Sequence, residues 1–83
     1  MKILYFAQLK ESLGKDQDII QLKSEISVNE LIKELILKGG KYKECFEQMK
    51  NLRCAVNCEY ITNYNKSLKN KDEIAFFPPV TGG

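Results

Sequence analysis

The sequence predicts an α+β fold in which a mixed sheet of about five strands packs on one main helix. Three observations predict it. Strand-like segments open and close the chain, one amphipathic helix with both a start and a stop signal lies between them, and the length leaves room for a single core. At 83 residues a chain buries roughly 60–65% of its extended surface on folding, enough for one domain without a second core. An apolar fraction of 43% beside 29% charged residues is globular composition and excludes a disordered chain.

Residues 2–8 alternate at the period of a strand, with Ile3, Tyr5 and Ala7 on one side and Lys2, Leu4 and Phe6 on the other. A turn is expected over residues 12–16, where Gly14 supplies backbone freedom. Residues 18–23 then read as a second strand through Ile20 and Leu22, so that the first two strands form a hairpin. The helix is the firmest element. Ser27 is a good N-cap, Glu30 completes the S-x-x-E capping box, and Ile26 and Leu31 are placed for a hydrophobic staple. Val28, Leu31, Ile32, Leu35 and Ile36 recur along one stripe, and Gly39-Gly40 stops the helix because glycine takes the left-handed conformation without strain.

Residues 42–49 add a short second helix with Tyr42, Phe46 and Met49 inward. Residues 53–57 form a strand with Cys54 and Val56 buried, and Cys58-Glu59 turns the chain into a short strand around residues 60–62. Residues 63–72 read as a polar loop pinned by Leu68. Residues 73–77 are the last strand, ended by Pro78-Pro79, since proline cannot donate to a ladder. A β-grasp, ubiquitin-like arrangement satisfies this order, with the first and last strands central and parallel. The expected division is a domain over residues 1–77 and an extended, flexible C-terminal tail over residues 78–83.

Charge and cysteine usage remove several function classes. The net charge is +2, from 13 Lys and Arg against 11 Asp and Glu, too weak and scattered for a nucleic-acid footprint. The lysines at 38, 41 and 43 and at 66, 69 and 71 flank turns and read as solvated surface. No apolar run approaches the ~20 residues that span a bilayer, and MKILYF lacks the length and cleavage site of a signal peptide, so the expected location is the cytoplasm, away from membranes. Cys45, Cys54 and Cys58 are an odd count, which argues against a disulfide framework. With no histidine in the chain, a metal site and a cysteine nucleophile both lack their usual companion, and Cys54 reads as a small buried hydrophobe. No side-chain constellation resembles a catalytic site, so the chain is not expected to catalyse alone.

The remaining candidate for chemistry is FFPPVTGG at the C-terminus. Pro78-Pro79 imposes a stiff, extended exit from the last strand. Val80, Thr81, Gly82 and Gly83 then narrow to bare backbone, which can thread a channel and approach a reactive centre closely. A carboxylate is a poor electrophile by itself. Activation by ATP to an acyl-adenylate would open the Gly83 carboxyl carbon to a sulfur nucleophile, and the resulting thiocarboxylate is sulfur in a deliverable form.

Four stretches, ILYFAQLKE, SVNELIKEL, AVN and DEIAFFPPVTGG, resemble the small subunit of molybdopterin synthase, a MoaD-type ubiquitin-like sulfur carrier, over essentially the whole chain. The resemblance implies that an adenylyltransferase related to ubiquitin-activating enzymes adenylates Gly83, consuming ATP, with no cofactor held permanently. A sulfur-donating protein then supplies the thiocarboxylate. The tail inserts into the large synthase subunit, within an assembly of two small and two large subunits, and its sulfur builds the dithiolene of molybdopterin from cyclic pyranopterin monophosphate. Residues 78–81 would line the insertion path, and family analogy places Lys10 at the rim of the interface. The chain departs from the family pattern at Lys71-Asp72, where Gly-Asp is frequent and a positive φ would strain lysine. A second departure is Cys58, where glycine or a polar residue is frequent.

Alternation places the partner face independently. If Ile3 and Tyr5 face the helix, Leu4 and Phe6 lie on the open side of the sheet; likewise Ile74 and Phe76 point in, and Ala75 and Phe77 point out. Exposed aromatics on adjacent strands form a patch of the kind that marks an interface, with Phe6 and Phe77 as its anchors. Competing readings are a sulfur carrier of the thiamine type, a ubiquitin-like modifier joined to lysines through Gly83, and a docking domain in which Gly83 is dispensable.

Overall fold

The computed structural model describes residues 1–48 and 52–79. Along the chain run β1 (Lys2–Tyr5), α1 (Gln8–Leu13), β2 (Gln17–Ile19), β3 (Ile26–Ser27), α2 (Val28–Leu37), α3 (Gly40–Gln48), β4 (Arg53–Val56), β5 (Glu59–Ile61), β6 (Ser67–Leu68) and β7 (Glu73–Phe77). A five-stranded mixed sheet has the order β2-β1-β7-β4-β5, and β3 pairs with β6 in a separate two-stranded piece. β1 and β7 are parallel neighbours, with Ile3 opposite Ile74 and Tyr5 opposite Phe76. The other pairings are antiparallel. The expected α+β, β-grasp fold with first and last strands central is therefore the fold observed.

One face of the sheet is closed by helices. Ile3, Tyr5, Cys54, Val56, Ile74 and Phe76 point into a core shared with Val28, Leu31 and Leu35 of α2, Phe46 of α3, and Leu9 and Leu13 of α1. The Phe46 ring meets Tyr5 edge-on at 6.3 Å and Phe76 at 5.3 Å between centroids, seating α3 over the central strand pair. α2 begins as its sequence predicts. The Ser27 hydroxyl accepts from the Glu30 backbone N–H at 3.1 Å, and the Glu30 carboxylate accepts from the Ser27 N–H at 3.0 Å. Gly39, at φ 74°, ends it.

Four expectations are corrected. The first strand stops at Tyr5, and Ala7 is exposed rather than inward-facing, because the backbone leaves the sheet there into α1, ahead of the turn expected over residues 12–16, where Gly14 does take a left-handed φ of 73°. Leu9 and Leu13, one helical turn apart, bury the inner side of that helix, so β1 and β2 pair antiparallel as expected but with a helix in the connection between them. The second strand is three residues, Gln17–Ile19; beyond it Leu22 is held by Asn70, whose side chain bonds its N–H and its C=O at 2.7 and 2.9 Å. The polar loop of residues 63–72 contains β6, although Leu68 is the buried pin expected of it. Phe46 is buried and Tyr42 half-buried on α3 as anticipated, while Met49 lies outside the described residues. The Lys71-Asp72 turn avoids strain, since positive φ among described non-glycine residues occurs at Ala7, Asn57 and Cys58. Asp72 closes that turn by accepting from the Lys69 N–H at 2.8 Å.

Candidate functional site

The uncovered face of the sheet is built from the residues that alternate with the core. Leu4 stands opposite Ala75, Ala75 opposite Ala55, and Ala55 opposite Tyr60. These four make a row across β1, β7, β4 and β5, low in the middle because two of its members are alanine. A second row lies one step nearer the C-terminal end of β7, where Phe77 pairs with Arg53. The Phe6 N–H donates to the Phe76 carbonyl at 3.2 Å, which extends the parallel pairing and brings Phe6 level with Phe77. Phe6 is 49% exposed and Tyr60 81%, large apolar surfaces that a lone domain has no reason to display together.

Phe77 is half-buried, and the Tyr60 ring meets it edge-to-face at 5.6 Å and 77°. A hollow of about 280 Å³ opens at this corner, lined by Arg53, Tyr60, Thr62 and Phe77 among others. Of the residues singled out in the sequence, Phe6 and Phe77 are thus brought to one patch at the root of the tail. Lys10 is exposed on α1, which follows Phe6 after Ala7. Pro78 and Pro79 follow Phe77, each half-buried. Val80, Thr81, Gly82 and Gly83 lie outside the described residues.

Two patch residues went unnoticed in the sequence, Tyr60 and Arg53. The signal was available for Tyr60. Once Ala55 is assigned to the open side, a two-residue turn at Asn57-Cys58 puts Tyr60 across from it. The turn expected at Cys58-Glu59 is observed one residue earlier, at Asn57-Cys58, with φ 50° and 69° at its central residues, the hairpin geometry whose twist suits the flanking strands.

The titratable groups that depart from their ordinary behaviour serve the fold. Burial pushes the Asp18 carboxyl up, but hydrogen bonds from Tyr42 at 2.6 Å, Tyr5 at 2.9 Å and Lys15 at 3.2 Å outweigh it and hold the group below the usual range. This cluster ties β2 to α3. Burial raises the Cys54 thiol, which makes a poor nucleophile of it. Cys45 is half-buried and Cys58 exposed. Among the described residues no three His, Cys, Asp or Glu side chains group as metal ligands would, and no helix there is long and apolar enough to cross a membrane. What the patch offers chemically is aromatic and apolar surface of the kind that marks an interface.

Comparison with known proteins gives a consistent result. The ThiS family profile matches residues 3–83. A molybdopterin synthase sulfur carrier subunit from Haemophilus influenzae is 42% identical over 84 aligned positions, covering 100% of this chain and 99% of the relative. Among solved structures, molybdopterin converting factor subunit 1 from Pyrococcus furiosus superposes with a TM-score of 0.75 at 31% identity, covering 95% of both chains. A protein–protein complex of subunits 1 and 2 of molybdopterin-converting factor from Helicobacter pylori matches with a TM-score of 0.65 at 26% identity, covering 99% of this chain and 96% of that one.

Proposed function

The chain belongs to the ThiS family, and from that premise we propose that it is the sulfur-carrier small subunit of a molybdopterin synthase working in the cytoplasm. The observation that carries this reading is its end-to-end likeness to the Haemophilus influenzae sulfur carrier subunit. An adenylyltransferase of the ubiquitin-activating kind joins the Gly83 carboxylate to AMP and releases pyrophosphate. The outer sulfur of a donor protein's persulfide attacks the carboxyl carbon and AMP leaves. A thiol then attacks the donor's sulfur in the resulting acyl disulfide, forming a disulfide with the donor and leaving a terminal thiocarboxylate. The tail then enters the large subunit and gives its sulfur to cyclic pyranopterin monophosphate.

In this scheme the domain is a handle. Phe6, Phe77 and Tyr60 seat it on the large subunit, Lys10 and Arg53 lie at the rim, and Pro78, Pro79, Val80 and Thr81 line the path along which the terminus is presented. Gly82 and Gly83 keep that path thin. The complex from Helicobacter pylori supports a partnership of this type, and the family pattern is two small with two large subunits.

The test is reconstitution with ATP, the activating enzyme, a sulfur donor, the large subunit and the pterin precursor, followed by intact-mass spectrometry. Wild-type chain is expected to gain the mass of sulfur replacing oxygen and to yield molybdopterin. Deleting Gly83 withdraws the carboxyl by about 3.3–3.6 Å, and a misplacement of even ~1 Å costs on the order of 10²-fold in a positioned reaction. Near-normal product from the deletion would sink the proposal, and isopeptide-linked conjugates in place of a thiocarboxylate would move the assignment to a protein modifier.

A further inference from the structure

The backbone at Ala7 is out of character for an alanine. Its φ of 53° and ψ of −127° belong to the first central position of a type II′ turn, which glycine normally fills because a Cβ is strained there. The Phe6 carbonyl closes this turn by accepting from the Leu9 N–H at 3.1 Å. Two further bonds pin it on either side: Phe6 N–H to the Phe76 carbonyl at 3.2 Å, and Glu11 N–H to the Ala7 carbonyl at 3.1 Å. Strain of this sort persists where neighbouring structure over-determines it.

The Ala7 side chain is exposed, outside the buried core, and borders a shallow hollow beside Lys10 and Asp16. Core packing therefore does not offset the strain, and glycine would relieve it with little packed surface lost. What alanine supplies and glycine does not is stiffness, since it has far fewer backbone states to choose from. The turn it stiffens joins two members of the docking face: Phe6 immediately before it, and α1 with Lys10 immediately after.

Resting on the docking role proposed above, we infer that Ala7 is a positioning residue. It accepts a strained backbone so that Phe6 and Lys10 are held as one rigid edge toward the large subunit. The free domain gives up some stability, and the complex forms without first having to order that edge.

Three full-length variants test this by calorimetric titration against the purified large subunit, thermal unfolding, and backbone order parameters at Phe6 and Gln8. Ala7→Gly is expected to keep or raise the Tm, lower the order parameters, and weaken binding about 2- to 5-fold, the scale of added backbone freedom. Chemical synthesis with D-alanine at position 7 suits a positive φ while retaining a side chain. It is expected to raise the Tm and restore wild-type affinity. Phe77→Ala is the control for the docking face and should weaken binding more than either. Wild-type affinity in Ala7→Gly beside weakened Phe77→Ala overturns the role of Ala7 alone. So does a loss in Ala7→Gly that D-alanine fails to rescue, which would mean that the methyl group touches the partner directly. Wild-type affinity in Phe77→Ala overturns the docking reading itself.

Discussion

Phe76 and Phe77 are neighbours on the same central strand and serve opposite ends. Phe76 is fully buried between the sheet and the Phe46 ring, and its neighbour stands on the open side with Tyr60 leaning against it. The same alternation runs through β1 and the residue after it, where Ile3 and Tyr5 are buried, Leu4 half-buried and Phe6 exposed, and through β4, where Cys54 and Val56 are buried, Ala55 half-buried and Arg53 exposed. In a strand the pleat assigns each residue to one face, so a single sheet can carry a core and the docking surface proposed above without either interrupting the other. The lesson is that stability and partner binding should be separable here by single substitutions one residue apart.

The largest contrast should come from that pair. Phe76→Ala removes a ring from a fully buried site and should cost about 3–5 kcal/mol of folding stability by denaturant titration. For a domain of this size that is a large part of the total. Phe77→Ala should change folding stability by much less and instead weaken association with the large subunit by about 2 kcal/mol or more. Equal stability losses in the two variants would erase the distinction between the faces.

The cysteines sharpen the comparison on a smaller scale. Cys54 belongs to the covered face, while Cys58 is exposed at the hairpin turn. Cys54→Ser should cost about 1–3 kcal/mol because it buries a hydroxyl, and Cys58→Ser should cost roughly 0.5 kcal/mol or less. A triple variant that also replaces Cys45, provided it folds, should still take up and deliver sulfur. Abolished transfer in a folded triple variant would show that a thiol takes part beside Gly83.

The smallest effect expected is acid sensitivity centred on Asp18. Its carboxyl titrates below the ordinary value of roughly 3.9 in the folded chain. The stabilisation it confers is therefore complete above that ordinary value and is lost as pH falls through the lower, folded one. Thermal unfolding followed downward from about pH 5 should show a shallower fall in Asp18→Asn than in wild type. Some slope should remain, because hydrogen bonds also hold the Asp72 and Glu30 carboxyls low. Identical slopes in the two chains would mean that the tyrosine and lysine contacts to Asp18 contribute nothing to folding.

Where the sequence was legible, a local rule and the global fold agreed. Ser27 and Glu30 specify a helix start by their own hydrogen bonds, and the core and open faces of β7 follow from its alternation. Legibility failed where one rule mimicked another. The alternation of Ile3 and Tyr5 continues through Ala7, yet the chain has already left the sheet, and nothing about an alanine announces a positive φ. The six residues of α1 are too few for helical periodicity to outweigh that alternation, so the Leu9–Leu13 spacing passed unread. β3 and β6 are two residues each, and their pairing depends on tertiary closure over Leu68 rather than on propensity. Tyr60 needed the register of a hairpin whose turn carries Asn57-Cys58 in place of the expected glycine.

The parallel pairing of β1 with β7 also sets an order of events. The strands at the centre of the sheet come from nearly opposite ends of the chain, so the contact that organises the domain closes almost the longest loop available to it. Such contacts are slow to form and gain little until most of the polypeptide is present. A ribosome-bound chain that has not yet released Glu73–Phe77 has no middle to its sheet and lacks the Phe76 ring against which Phe46 of α3 packs. Folding of the domain is thereby timed to the emergence of Glu73–Phe77, the segment that completes the sheet and leads into Pro78-Pro79.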